Sequence, residues 1–422
     1  MKRKFIAIIF SGILFTSCEK EFTALVPENN WDEFTAAGTS PLSDSIGKRI
    51  EGVYEISKGD AMFGGSVALK WVWTIENSDT VYTLSGFFEK DNSYFIASGR
   101  RTDSIILVNG YYRKMVNTET GVVRLKIEYE KGTLLISDLS KPIGSDSIII
   151  TGNFSQIGTE LDSLQFIYKR PLRDDSNFLI LAHRCGGRTS DLLPAAENSV
   201  NMVLLSTKLG ATGIELDVRM TSDEVPIVYH DETLNDRLIQ PNGMMGNIAN
   251  YSYAQIRDLV RLTDGQTIPS LREILDVVLL QTSLRFVWLD VKYYGSLQLV
   301  YEIQQEYLLK ASQMNRDLVL LIGIPDQDVQ QNFIALPDYL NIPSLNERYD
   351  EIINVNSNAW GAPWSLGVMR PEIESLHSIG KKVYVWTLDS PAFIEQYVSE
   401  NIYDGILSNY PCKVAHSYYV GP

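Results

Sequence analysis

A polar, proline-containing break at Arg170–Asn177 divides the chain, and the texture that follows it constrains the fold most. Short apolar runs (FLILAHR, TGIELDV, VPIVYHD, RFVWLDVK, LVLLIGIPD, KKVYVWTL and DGILSN) alternate with helical stretches at Glu197–Leu209, Tyr253–Leu262, Leu271–Leu280, Gly295–Ser312 and Pro371–Ile379. One further strand is expected near Asn341–Leu345. About eight strands with crossover helices over residues 176–422 predict an α/β fold, a (β/α)8 barrel of TIM type.

The stretch before the break reads differently. Over residues 43–172 it holds about eight short alternating runs, such as VALKWVWTI, TVYTLSGFF, SIILVNGYY and SLQFIYK, with turn residues between them. That pattern predicts an antiparallel β-barrel or sandwich. Its strand count and its opening EGVYEI resemble lipocalin-like domains. Trp71, Trp73, Tyr82 and Tyr111 read as core or cross-strand packing.

The chemistry gathers at the ends of the later strands. His183 and Arg184 follow the first apolar run, Glu215 and Asp217 close the second, and His230 closes the third. Asp290 and Lys292 close the fourth, and the chain has only four histidines. Residues two apart on a strand share a face, so Glu215 projects with Asp217 and Asp290 with Lys292. In a TIM barrel the strand ends form the active-site face. Three carboxylates from neighbouring strands make a hard oxygen site suited to magnesium or calcium. No HxH or HExxH spacing points to zinc. Arg184 and Lys292 offer fixed positive charge for a phosphate, and His183 and His230 can move protons on either side of it. His377 and His416 read as surface or packing residues, and Trp360 and Trp364 as either mouth-lining or packing residues.

These segments resemble the glycerophosphodiester phosphodiesterase family, whose ordered pattern is HRG, PENT, E-x-D, V-P-V-x-H-D, E-x-K, W-T and D-G-I-x-x-x-Y-P. The likeness runs from Phe178 to about Pro411. It implies that His183 and His230 are the general acid/base pair, that Arg184 contacts phosphate, and that Lys292 is the family's lysine. It implies Glu215, Asp217 and Asp290 as metal ligands, Glu197 in or beside the metal shell, Asn198 behind it, and Trp386 lining the pocket. The implied reaction converts glycerophosphodiesters to an alcohol and glycerol 3-phosphate through a cyclic phosphate. A related phosphodiesterase acting on lysophospholipid or another headgroup is the alternative, and a binding protein whose barrel has lost activity is the rival from another class. The chain departs from the pattern at Cys185 (for glycine), Ser199 (for threonine) and Asp290 (for glutamate), and by the insertion GRTSDLLPAA before Glu197.

At the other end, residues 1–18 read as a signal peptide: a basic start, an apolar run too short to span a membrane, and Thr16-Ser17-Cys18. FTSC resembles the lipobox of bacterial lipoproteins, which implies acylation at Cys18, a flexible tether over residues 19–42, and a lipid membrane as partner. Export, with anchoring in the outer membrane on its periplasmic or surface face favoured over the inner membrane, is the location this implies. The formal charge of -15 becomes -18 without Lys2, Arg3 and Lys4, which excludes a nucleic-acid partner. Cys185 and Cys412 would flank the first and last barrel strands. They read as a disulfide or as two unrelated thiols.

Overall fold

The computed structural model describes residues 25–115 and 117–421. Eight long antiparallel strands form the N-terminal barrel, with the two-residue strand Ser40–Pro41 pairing onto the fourth of them: β1 (Gly52–Lys58), β2 (Ser66–Glu76), β3 (Asp79–Phe88), β4 (Ser93–Arg101), β5 (Ile105–Lys114), β6 (Thr120–Glu128), β7 (Ile149–Gln156) and β8 (Asp162–Arg170). Each strand pairs with the next, and β8 pairs back onto β1, so the sheet closes into an up-and-down barrel. Closure removes the exposed edges that an open sheet would present. Aromatic side chains fill the interior: Phe63, Phe88, Phe95, Tyr112, Phe154 and Phe166 all belong to one buried cluster. Trp71 stacks on Tyr82 at 5.8 Å, as expected of packing residues.

The second barrel is parallel. Its staves are β9 (Leu179–Ala182), β10 (Gly213–Met220), β12 (Phe286–Val291), β13 (Val319–Ile324), β14 (Ser344–Asn346), β15 (Ala359–Pro363), β16 (Lys382–Trp386) and β17 (Gly405–Ser408). Each pairs with the next in this order, and β17 closes on β9. The crossovers carry α1 (Val200–Lys208), α2 (Tyr253–Leu259), α3 (Leu271–Gln281), α4 (Gln298–Gln313), α5 (Gln327–Ile334), α6 (Arg370–Ser378) and α7 (Pro391–Glu400), and α8 (Pro411–Val420) follows the last stave. Helix starts are marked in the sequence: Ser199 caps α1, and Ser252 with Gln255 and Ser270 with Glu273 form capping boxes on α2 and α3. Alternate strand residues face the two sides. Ile214, Leu216, Val287 and Leu289 join the core beneath the helices, whereas Phe286, Trp288, Leu321, Leu345 and Tyr384 fill the barrel.

Two strand expectations are corrected. The run VPIVYHD is not a stave: β11 (Pro226–Val228) folds back antiparallel on the outer half of β10, and His230 lies in the loop after it. The missing stave is β15, within NAWGAPW, where the fully buried Trp360 packs under the helices. A run interrupted by glycine and proline did not read as a strand, but as an inner stave β15 needs little side chain: a Cβ on Gly361 would meet Trp288 at 2.8 Å.

The two barrels share an apolar interface. Ala68, Phe87, Tyr94 and Met115 of the first join the helix-side core of the second. Polar ties run across it as well: Lys70 pairs with Asp175 at 2.6 Å, Lys208 with Glu76 at 2.6 Å, and Ser66 Oγ meets His416 Nε2 at 3.0 Å. His416 is thus a buried packing residue, while His377 sits at the surface on Asp404.

The segment expected to be a flexible tether is fixed from Asn29 onward. Asn29 donates to the carbonyls of Gly110 (2.7 Å) and Val123 (3.1 Å), and Arg124 holds its Oδ1 at 2.8 Å. The expectation of a lipid-anchored protein with a membrane partner is also corrected. Cys185 and Cys412, the two cysteines described, are buried and free, which argues against acylation at a surface and shows no disulfide between them. Among the described residues no helix is long and apolar enough to cross a membrane. The signal segment and Cys18 lie outside the described residues.

Gly323 on β13 stands where a Cβ would run into the Trp288 indole and the Leu289 carbonyl. Gly323→Ala should therefore destabilise the protein by about 1–3 kcal/mol through overpacking. Urea unfolding at neutral pH measures this; an unchanged midpoint would mean the barrel interior is looser than described.

Candidate active site

The site assembles because inward-facing positions continue past the apolar filling at the carboxyl ends of the staves. On β10 the inward residues are Gly213, Glu215 and Asp217, and on β12 they are Phe286, Trp288 and Asp290, with Lys292 next in line. Asp217 and Asp290 are register partners on adjacent staves, so their carboxylates lie side by side. One oxygen each from Glu215, Asp217 and Asp290 falls within a common span of 4.8 Å, in a buried group that could hold a metal ion.

Electrostatics sharpens this. Glu215 Oε1, Asp217 Oδ1 and Asp290 Oδ1 are buried and lack a hydrogen-bond partner. Burial, then the charges of Asp217 and Asp290, push the Glu215 carboxyl well above its ordinary range; burial also raises Asp290. Lys292 offsets part of this charge, with Nζ 2.5 Å from Asp290 and 3.7 Å from Asp217. Burial works against a charged Lys292, but these two carboxylates hold its pKa above the usual lysine value. Orphaned acceptors on a hard oxygen set fit a divalent cation.

His183 and Arg184 occupy a tight turn directly after β9, with Arg184 in the left-handed region at φ 52°. His183 Nε2 lies 3.8 Å from Glu215 Oε2, and its Nδ1 lies 2.8 Å from Asn409 Oδ1. Asn409 donates its own amide nitrogen to Asp389 at 2.6 Å, so its oxygen is the acceptor toward His183. His183 therefore carries its proton on Nδ1 and turns the Nε2 lone pair to the carboxylates. Burial lowers its pKa, against the pull of Asp217.

His230 approaches from the excursion between β10 and β12, near enough for its charge to act on Asp290. Its Nδ1 is 2.7 Å from Asp231 Oδ1. Arg237 and Asn235 hold that carboxylate at 2.9 and 2.8 Å. Although burial opposes it, Arg237 and His230 keep the Asp231 carboxyl well below the usual range.

Glu197 is not brought into the carboxylate cluster. Its oxygens are taken by Arg184 Nη1 (2.9 Å), Thr189 N (2.7 Å) and Arg237 Nη1 (3.2 Å). Asn198 stands behind the cluster, donating to Asp217 Oδ2 at 2.7 Å. Trp386 ends β16 edge-on to Trp288, its indole N–H on the Gly361 carbonyl at 2.9 Å. Trp364, by contrast, is 41% exposed on the turn after β15.

Four participants went unread in the sequence: Asn409, Asp389, Asp231 and Glu347. Asp231 stood in the quoted motif V-P-V-x-H-D and could have been assigned from its adjacency to His230. Glu347 follows the three-residue stave β14, and its carboxyl is pushed up to about 8 by burial and then by Asp290. A cleft of about 970 Å³ opens beside Lys292, walled by Arg219, Glu232, Tyr293, Tyr294 and Asp326.

Residues 183–322 match the Glycerophosphoryl diester phosphodiesterase family. A glycerophosphodiester phosphodiesterase of Caldanaerobacter subterraneus is 24% identical over 245 residues, covering 55% of this chain and 94% of that protein. A probable glycerophosphodiester phosphodiesterase 2 of Mycobacterium tuberculosis is 25% identical over 247 residues, covering 55% and 87%. The crystal structure of a glycerophosphodiester phosphodiesterase from Parabacteroides distasonis aligns over 56% of this chain and 95% of its own, at 19% identity and a TM-score of 0.44. This chain carries a hydrolase domain of that family. Its family domain lies in the parallel barrel, and the antiparallel barrel precedes it.

The Asp231 pairing sets a pH-dependent test. A carboxyl with a lowered folded-state pKa stabilises the fold above its unfolded value, near 3.9, and loses that contribution as pH falls through the lowered value. Asp231→Asn should cost about 1 kcal/mol at pH 7, the pair being partly screened by solvent. The difference from wild type should shrink at pH 3. Denaturant titrations at the two pH values check this, and an equal gap at both would remove the ion-pair account.

Proposed function

We propose that the chain hydrolyses glycerophosphodiesters to an alcohol and glycerol 3-phosphate, using a divalent cation held by Glu215, Asp217 and Asp290. The observation that carries this reading is a buried three-carboxylate cluster flanked by two imidazoles, each with its Nδ1 fixed by an acceptor. When bound, the cation would supply Lewis-acid stabilisation of charge on the phosphoryl oxygens.

The chain's own groups divide the remaining work. Arg184, anchored on Glu197, and Lys292, anchored on Asp290, present positive charge to the phosphate. His183 is the base: its lowered pKa keeps it neutral, and Nε2 accepts the proton of the substrate hydroxyl next to the phosphoester. That oxygen bonds to phosphorus as the bond to the leaving alcohol breaks, and His230 protonates the departing alkoxide. Water then opens the cyclic phosphate, with the two histidines exchanging roles. Trp386 borders the glycerol moiety, and the cleft beside Lys292 gives the leaving alcohol room to extend.

His183→Ala and His230→Ala should each lower turnover by about 10²–10⁴-fold with folding intact. A substrate with an acidic leaving group such as nitrophenol should relieve His230→Ala far more than His183→Ala. Equal relief would reverse or remove the assignment of roles.

Chelation should abolish release of glycerol 3-phosphate from glycerophosphocholine or glycerophosphoethanolamine, and magnesium or calcium should restore it. The cation at a hundredfold excess over its Kd should also stabilise the fold by about 2.7 kcal/mol, an effect that Asp290→Asn weakens. Full hydrolysis after exhaustive chelation, with metal content measured, would exclude the catalytic cation.

A further inference from the structure

The inserted loop between Arg184 and Glu197 is gripped by the N-terminal barrel. Arg113, near the end of β5 and 2% exposed, donates from Nη2 to the carbonyls of Asp191 at 3.1 Å and Leu192 at 2.7 Å. Leu193 and Ala195 of the same loop share an apolar core with Tyr94 and Met115 of the first barrel. Arg113 Nε is buried without a partner, so the two bonds from Nη2 carry the compensation for burying this charge, and losing either carbonyl would leave the guanidinium still less satisfied.

From that grip a continuous set of contacts leads to the reacting groups. The Asp191 carboxylate accepts from Arg188 N at 2.9 Å and from the Arg188 guanidinium at 2.9 and 3.2 Å. Arg188 in turn reaches Tyr410 Oη at 3.0 Å and Asp389 at 3.8 Å. Asp389 takes both the backbone and the side-chain nitrogen of Asn409, at 2.9 and 2.6 Å, and Asn409 receives the Nδ1 proton of His183. On the other side of the loop, Thr189 N donates to Glu197, the carboxylate that anchors Arg184.

We propose that Arg113 is a positioning residue: the N-terminal barrel serves as a brace for the loop that orients His183 and Arg184. The brace acts on groups whose roles rest on the phosphodiesterase reading above. It gives the antiparallel barrel a part in that reaction without a ligand of its own, in keeping with an interior filled by aromatic side chains.

The test uses the full chain and two readouts. Arg113→Met keeps the apolar stem and removes the donors; kcat per folded molecule should fall about tenfold, and Arg113→Lys should recover most of it. Hydrogen exchange at the Asp191 and Leu192 amides should rise at least tenfold in Arg113→Met, with β10 and β12 unchanged. Phe154→Leu, in the interior of the same barrel, is the control: it should lower Tm but leave kcat and loop exchange alone. Wild-type kcat with wild-type loop exchange in Arg113→Met overturns the proposal, as does an equal loss of kcat in Phe154→Leu. Should Arg113→Met fail to fold, exchange in the unsubstituted protein decides. Loop amides as protected as those of β5 support the brace, and loop amides exchanging a hundredfold faster refute it. Failure of the wild-type chain to hydrolyse any glycerophosphodiester would sink the functional reading, while the exchange results would still judge the brace.

Discussion

Three carboxylates buried within a common span of 4.8 Å repel one another and lose the solvation that made them acidic. That arrangement is tolerable only where positive charge is close, and the rest of the barrel mouth is organised around supplying it. Lys292 sits on the same strand face as Asp290, so the parallel ladder that creates the repulsion also delivers the first counter-charge. One cation among three anions leaves an excess of negative charge, and three orphaned oxygens mark where a divalent ion would balance it. Arg184 and Arg237 are not free to take that place, because both are committed to Glu197. The Arg184 guanidinium is thus held apart from the three carboxylates, although its backbone N–H donates to Glu215.

Much of this was legible in the sequence because barrel chemistry is written at strand ends with a period of two. Glu215 with Asp217, and Asp290 with Lys292, could be placed on shared faces without coordinates. The groups that set the histidines could not. Asn409 lies 226 residues from His183 and meets it only because β17 closes on β9, with Asp389 holding Asn409 from behind. Glu347 was hidden by the brevity of β14, three residues being too few to show a period. VPIVYHD is ambiguous for a related reason. A three-residue antiparallel strand and a buried parallel stave give the same apolar run, and only pairing tells them apart.

The antiparallel barrel shows its class in the sequence but not what its outer face packs against. Alternation reveals which residues face inward, but an outward face that meets another domain is also apolar, so Ala68, Phe87 and Tyr94 carry no label of their destination. An interface of that kind argues for a fixed geometry between the barrels, since moving them apart would expose apolar area at roughly 25 cal/mol per Å². Fixed geometry is what allows a side chain on one barrel to order a loop on the other.

Cys185 is buried directly behind the carboxylate cluster. It stands where the resembling family has glycine, and its φ of 67° explains why glycine would be comfortable there. A side chain in that conformation costs on the order of 1–2 kcal/mol, which the sulfur offsets by complete burial. Its Sγ lies 3.8 Å from Asn198 Oδ1, the residue whose amide nitrogen holds Asp217. Burial, reinforced by Glu215 and Asp217, raises the thiol well above its ordinary pKa, so it stays protonated. A neutral thiol wedged behind Asn198 is neither a nucleophile nor a soft metal ligand. Its effect is to hold Asn198, by packing and by a weak S–H bond donated to Oδ1, and so to fix the amide whose nitrogen binds Asp217.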